Sequence, residues 1–359
     1  MYILHDTRSM RLIVRPVGVA TEIVVENMSG NEGLEMQFSV RRSIGDSAST
    51  GQAVIFNLPD SIRTLIEGQG SRVGNIDDLI EDGTLWSVGE EASDDETAIA
   101  SQQGYATIEL QAGYDGSVST IFSGTAIFTQ TVPSASSSTP RRDSEGRFAK
   151  AVLGAGITTE TTIIASSGIA QVALSQANET FAKGTDTFVI LEHLRRVLKL
   201  GPGNCTPINW LKYLADAAGA INKNGQSLFS QTSVLSSSFT VTDNAAQQLE
   251  EFLRFTGLRY FVDDGQLWLL PRQGFIEGPI VTLEQLKEAP RRPRPGHLEC
   301  KAFLTPAVAP GHLVRVDATD IDTTSSGVYR CDEVMHVIGS SAAEEADTTV
   351  HLSRRQPLA

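Results

Sequence analysis

Apolar and polar residues alternate with a period of two along much of the first third of the chain. Between Ala106 and Ala112, Ala106, Ile108, Leu110 and Ala112 fall on one face and Thr107, Glu109 and Gln111 on the other. That is the pattern of a half-buried strand. Val118, Phe122, Ala126, Phe128 and Val132 carry the alternation past Asp115-Gly116, a dipeptide suited to a tight turn. A two-stranded hairpin with one wet face is predicted. RLIVRPV, TEIVVEN, LEMQFSV and AVIFNLP predict further strands between Arg11 and Pro59. One short helix is expected to begin at Pro59-Asp60, because Pro fits a first helical turn and Asp favours the positive end of the helix dipole.

The period lengthens in the middle of the chain. GTDTFVILEHLRRVLKLGPG places Phe188, Leu191, Leu194 and Leu198 at helical spacing, with Thr185 or Asp186 as the cap and Gly201 past the end. INWLKYLADAAGAI predicts a second helix and TVTDNAAQQLEEFLRFTG a third, closed by Gly257. LRYFVDDGQLWLLP then reads as a hairpin, in which Asp264-Gly265 supplies the positive φ of a tight turn. The tail returns to strands in HLVRVDA, GVYRCDEVMHVIG and TTVHLSRR. Under about seventy residues make a marginal core, so this tail is expected to borrow strands from elsewhere in the chain or from a neighbour.

Turn-rich and polar stretches divide these regions. Glu67 to Tyr105 is a polar, acidic insertion read as a surface loop with a short helix at Ile76 to Ile80. TVPSASSSTPRRDSEGRFAK, from Thr131 to Lys150, is too rich in Ser, Pro and charge to pack. EAPRRPRPGH interrupts the chain again. The expected division is a strand-rich domain over 1–132, a Ser/Pro-rich linker or loop over 133–156, an α+β region over 157–290 and an all-β domain over 291–359.

Composition narrows the function. The chain has 359 residues, enough for two or three domains, and a formal net charge of −14 from 43 acidic and 29 basic side chains. That balance argues against a surface built to hold nucleic acid, which gathers Lys and Arg against phosphates. MYILHDTRSMRLIV lacks the apolar core of a secretory signal, and no run of about 18 apolar residues predicts a membrane span. Cys205, Cys300 and Cys331 show no CxxC spacing and read as reduced, packed thiols, which fits synthesis in the cytoplasm.

Catalytic patterns are sparse. The histidines form no HExxH motif. His312, His336 and His351 all lie on C-terminal strands, where a three-His zinc site competes with plain strand packing and packing is favoured. EEASDDE and NIDDLIEDG lack the spacing of a calcium loop, and LGAGITTE lacks the GKS/T of a phosphate cradle. There is no GxSxG elbow, although two carboxylates suitable for a glycosidase are not excluded by sequence. Trp86, Trp210 and Trp268 read as core or rim residues before a sugar platform. No catalytic residue, metal or cofactor is assigned.

Taken in order, these stretches resemble the baseplate hub proteins of tailed bacteriophages, a tail-tip family related to the hub part of type VI secretion spikes. AVIFNLPDSIRTLI is similar to that family's strand, aromatic-Asn-Leu corner and short helix. IELQAGYDGSVSTIFSGTA is similar to its AGY and F-x-G hairpin. The middle match is TTIIASSGIAQVALSQANETFAKGTDTFVILEHL, with FAKGT leading into a helix, and FLRFTGLRYFVDDGQLWLLP. The tail match is TPAVAPGHLVRVDA followed by GVYRCDEVMHVIG. The insertions at 67–105 and 131–150 are longer than the family's, and mark places for other partners.

The resemblance implies a mainly β fold with α+β insertions: two tube-like β-barrel domains joined by a smaller α+β portion. It implies a homotrimeric ring whose six barrels meet a hexameric tail tube. The ring would connect tail tube protein, central spike protein and other baseplate proteins around a DNA exit channel, in a virion assembled in the host bacterial cytoplasm, with no enzyme activity and no membrane anchor. Family-motif positions are Asn57, Leu58, Ala112, Gly113, Tyr114, Phe122, Gly124, Gly184, Pro310, Gly311, Tyr329 and His336. Of these, Asn57, Gly113 and Gly124 would be corner or turn residues, and Tyr114 and Phe122 packing residues. DNA in transit would favour a neutral or acidic channel, with Arg141-Arg142 and Arg291-Arg292-Arg294 facing elsewhere. A tail-associated peptidoglycan hydrolase and a carbohydrate-binding receptor module, the latter working through Trp86 or Trp268, are the rival readings.

Overall fold

A computed structural model of the chain describes residues 7–16, 22–27, 34–45, 48–67, 106–134, 158–168, 175–224, 234–235, 237–242, 244–254, 256, 258–270, 274–319, 321–340 and 346–354. The short helix expected at Ile76 to Ile80, most of the acidic and Ser-rich insertions, Trp86, Arg141-Arg142 and Gly257 lie outside these residues.

The fold is mainly β. Strands β1 (Arg8–Arg15), β2 (Ile23–Asn27), β3 (Met36–Ser43) and β4 (Thr50–Phe56) are followed by helix α1 (Asp60–Glu67) and then by β5 (Thr107–Tyr114), β6 (Ser117–Ser134) and β7 (Thr158–Ser166). The last part holds β12 (Ile276–Leu283), β13 (His297–Phe303), β14 (His312–Val316), β15 (Gly327–Gly339) and β16 (Ala346–Arg354). All twelve belong to one mixed sheet, ordered β12-β14-β15-β3-β4-β7-β6-β5-β1-β2, with β16 on β15 and β13 on β16.

The sheet is open and branched, continuous from the first part of the chain to the last and not closed into a barrel, which corrects the expectation of two separate barrels. Its physical cause is β15. One edge of this 13-residue strand pairs with β16, while the other serves β14 through Gly327 to Arg330 and β3 through Glu333 to Gly339. The change of partner coincides with a bulge at Asp332, whose carbonyl accepts from the Ile44 N–H. Hydrogen bonds therefore cross from the first part of the chain to the last without a break. β7, from the segment read as α+β, pairs with β4 and β6, and β12 supplies the tail with a parallel neighbour for β14. The tail does borrow strands, from β3 and β12.

Alternation holds where the ladder is regular. β3 buries Met36, Phe38, Val40 and Arg42 while Gln37, Ser39 and Arg41 face water. β6 departs from it twice. Leu110 pairs with Phe122 but Gln111 pairs with Thr120, leaving Ile121 as an extra residue, and Ile121 and Phe122 are both buried. A second shift between Ala126 and Phe128 moves the buried face to Thr129 and leaves Val132 38% exposed. Each bulge displaces the pattern by one residue, so Phe128 and Val132 do not extend the buried row as the alternation predicts.

Burial follows the sheet's two parts. Met10, Leu12, Phe38, Ile55, Leu110 and Phe122 form a first core, joined by Leu304, Ile338 and Ala346 from the far end of the chain. Leu298, Cys300, Val314, Cys331, Val350 and Leu352 belong to another. Cys205, Cys300 and Cys331 are buried free thiols, and burial pushes the thiols of Cys205 and Cys300 up to about 12.

Between β7 and β12 lies a compact α+β body. It contains β8 (Glu179–Phe181), helix α2 (Thr187–Val197), helix α3 (Pro207–Asn224), β9 (Phe239–Val241), helix α4 (Ala245–Arg254), β10 (Arg259–Asp263) and β11 (Gln266–Leu270). Polar caps start the helices. Asp186 accepts from the Phe188 N–H, and the Asn244 side chain accepts from Ala246 and Gln247. Ile190, Leu191, Leu194, Trp210, Leu249 and Phe252 fill its core. Trp210 stacks on Phe252 at 6.0 Å and donates its indole N–H to Thr187. Lys199, rather than Gly201, takes the left-handed conformation after α2.

Candidate functional site

The hairpin β10–β11 is apolar on both faces. Val262, Leu267 and Leu269 enter the core of the helical body; Phe261 and Leu270, with Trp268 packed against them, meet Ile44 and Ile276 of the large sheet. Period two allows one ribbon to serve two cores. At its tip Asp264 and Gly265 have φ of 50° and 69°, the paired positive values of a type I′ turn.

That tip enters a polar socket in the large sheet. Arg42 stands at an inward position of β3, and its Nε donates to Asp263 Oδ1 at 2.9 Å while Nη2 donates to Oδ2 at 2.5 Å. Nη2 also reaches Asp264 Oδ2 at 3.1 Å. Ser49 donates its hydroxyl to Asp263, and the N–H of Ser123, two residues past the β6 bulge, donates to Asp264 at 2.9 Å. Gly265 N–H donates to Ser167 Oγ at 2.7 Å. The Arg42 and Asp263 side chains are 7% and 5% exposed. Fork-to-carboxylate geometry of this kind is the strongest ordinary side-chain pairing, and it is what makes burial of both charges tolerable.

Burial opposes the charge on Arg42, but Asp263 and Asp264 more than offset it and the guanidinium pKa lies above its ordinary value. Burial raises Asp264 despite the pull of Arg42. Two carboxylates thus share one guanidinium. Burial lowers His312, with repulsion from Arg42 adding to the effect.

The family-motif residues occupy corners, turns and close contacts. Asn57 has φ 55°, accepts from Thr159 N–H and donates its own N–H to the Thr159 carbonyl, next to buried Leu58. Ala112 is in the first core, and Tyr114 packs against it. A Cβ on Gly113 would fall 1.9 Å from the Ser117 carbonyl oxygen. Phe122 lies between two glycines: a Cβ on Gly51 or Gly124 would come within 2.6 Å of its ring. Gly184 donates its N–H to Leu235 in the turn before α2. Gly311, after Pro310, donates to Cys331 and accepts from Ile276, and Tyr329 donates its hydroxyl to the Ser325 carbonyl.

His336 is fully buried. Thr348 Oγ1 accepts from Thr305 N–H and lies 3.0 Å from His336 Nδ1, within hydrogen-bond reach. Nε2 has no hydrogen-bond partner among the described residues, and burial, followed by the charge of Arg42, lowers the imidazole to about 3. His312 packs edge-on to Trp268, while His351 is exposed. Among the described residues no group of three or more His, Cys, Asp or Glu is arranged to hold a metal. Trp210 lies in the core of the helical body, and Arg291, Arg292 and Arg294 are exposed.

Sequence reasoning located the Asp264-Gly265 turn but not its socket. The readable signal was Arg42, which follows Met36, Phe38 and Val40 at the inward parity of its strand and therefore needs a buried partner.

No family model matches the chain, and no curated protein matches it. Its structure is similar to solved structures of tail proteins. The 43 kDa tail protein of prophage MuSo2 from Shewanella oneidensis is 7% identical, with 96% of this chain and 98% of that one covered at a TM-score of 0.49. A tail protein from Neisseria meningitidis MC58 is 10% identical, covering 97% and 98% at 0.46. The E. coli c3393 protein, a type VI secretion component described as similar to the phage T4 tail proteins gp27 and gp5, is 8% identical, covering 96% and 77% at 0.46.

Proposed function

We propose that the chain is a structural, non-enzymatic hub at the distal end of a phage tail, a homotrimer joining tail tube to central spike and baseplate around the DNA exit channel. The observation that carries this reading is the ordered series of resembling stretches. Its corner at Asn57, its hairpin at Gly113 to Gly124, its lead-in to α2 and its turn at Asp264-Gly265 fall on chain reversals. On this reading the two parts of the one continuous sheet, β1–β7 and β12–β16, serve as two tube-facing units joined through β15 rather than as separate closed barrels. Three such chains closing a ring present six units to a hexameric tube. Other baseplate proteins are partners through the two long insertions, and the virion tail is the site of action.

Antibody labelling of intact particles tests the reading. Gold at the distal end of the tail tube supports it; gold on the head, along the whole tube or absent from particles overturns it. Light scattering on the purified chain tests the ring, and a stable dimer contradicts it.

A further inference from the structure

We infer that the described residues between 175 and 270 are a separately stable body held on the large sheet by a charged latch, and that Arg42 paired with Asp263 and Asp264 is that latch. The inference rests on contacts within this chain and stands apart from the hub reading.

The helical body has a core of its own, in which twenty buried residues from three helices, the β8–β9 pair, the β10–β11 hairpin and the segments between them form one cluster. Its apolar contact with the large sheet is much smaller: Phe261, Leu270 and Ile276 are buried there, with Ile44 and Trp268 packed on them. The polar contacts of that joint concentrate on the hairpin tip. Asp263, Asp264 and Gly265 meet groups from four places on the sheet, namely Arg42 on β3, Ser49 before β4, Ser123 on β6 and Ser167 after β7. One withdrawal of the tip breaks all of these bonds and leaves the helical core intact.

The chemistry makes this an all-or-none contact. Arg42 pairs with carboxylates 221 and 222 positions away, at the tip. With the tip in place, both buried charges are satisfied. With Arg42 removed, Asp263 and Asp264 remain as desolvated carboxylates, and with both carboxylates neutralised Arg42 remains as an unpaired cation; the cheapest remedy is hydration, and hydration requires the tip to leave. A small apolar joint cannot hold against that cost, whereas the larger helical core does not feel it. The hairpin's other face, with Val262, Leu267 and Leu269, stays with the helices.

Hydrogen exchange on the full-length chain tests the latch with Arg42→Met, the carboxylate variant Asp263→Asn/Asp264→Asn and the triple variant Arg42→Met/Asp263→Leu/Asp264→Asn. In the first two, which each leave one side of the latch without its partner, amides at 121–124 and 259–270 are expected to lose protection by about 100-fold or more, while those of α2 and α4 keep theirs. The triple variant, which removes all three charges together, is expected to restore protection at the tip. Equal loss in α2 and α4 would mean that the body and the joint are one cooperative unit, and would overturn the inference. So would unchanged exchange in the first two variants, or a triple variant as exposed as either of them. Should one of the first two fail to fold, the triple variant with an unprotected tip overturns the inference by itself.

Discussion

The parts of the molecule are joined in two different ways. At the seam between β3 and β15 the joint is a ladder, registered from Glu333 against Ser43 to Gly339 against Gln37, with Phe38, Val40, Val334 and Ile338 buried beneath it. At the socket the joint is made by side chains, one guanidinium against two carboxylates with serines filling the remaining positions. A ladder distributes its strength over backbone groups that every residue supplies. A socket concentrates it in one residue, so the two joints should differ most in how they respond to substitution.

The largest expected effect is at the socket. Arg42→Met should weaken docking of the helical body by about 3–5 kcal/mol, read from hydrogen exchange, because it leaves Asp263 buried and unpaired. A loss below 1 kcal/mol would show that the socket is no more residue-specific than the seam. Next comes a polar contact beside the seam, on the opposite edge of β15. Thr348→Val keeps the shape but removes the acceptor for Thr305 and the hydrogen-bond partner of His336, and should cost about 1–3 kcal/mol in urea unfolding.

Asp264→Asn sharpens the comparison by pH. Asn tolerates the left-handed turn, and the substitution removes the second carboxylate while Asp263 continues to neutralise Arg42. Burial raises the Asp264 carboxyl in the folded chain, so its ionisation opposes folding at higher pH. Relative to the Asn variant, the parent should gain stability as pH falls through that raised value, with the difference levelling off below the unfolded pKa. A parent that loses stability relative to the variant over that range would reverse the assignment. The smallest effect belongs to the wet side of the ladder. Ser39→Thr, exposed opposite Val337, should stay within about 0.5 kcal/mol of the parent in the same urea assay.

Local features were legible because they depend on near neighbours. The Asp115-Gly116 and Asp264-Gly265 turns, the Asp186 cap and the buried row of β5 all follow from stretches shorter than a dozen residues. β12 escaped because IEGPIVTL contains Gly278-Pro279, which reads as a break in a strand. β13 escaped because HLECKAF, with its charged residues, carries a weak strand signal beside Pro-rich EAPRRPRPGH. The bulges in β6 were invisible because an extra residue has no composition of its own. The Arg42 signal was readable, but its partner was not: strand parity shows that an inward Arg needs an anion without showing which of 43 acidic residues supplies it.

The shared strand β15 also sets a timetable. Arg41 and Glu333 pair across 292 positions, so β3 leaves the ribosome long before the strand that covers its second edge exists. At translation speeds of about 5–20 residues per second, that edge waits for roughly 15 to 60 seconds. Exposed strand edges recruit other chains, and contacts this remote in sequence form slowly. The yield of soluble protein should therefore depend on whether synthesis reaches β15: chains stopped before residue 327 should aggregate, and supplying the missing strands later should rescue few of them.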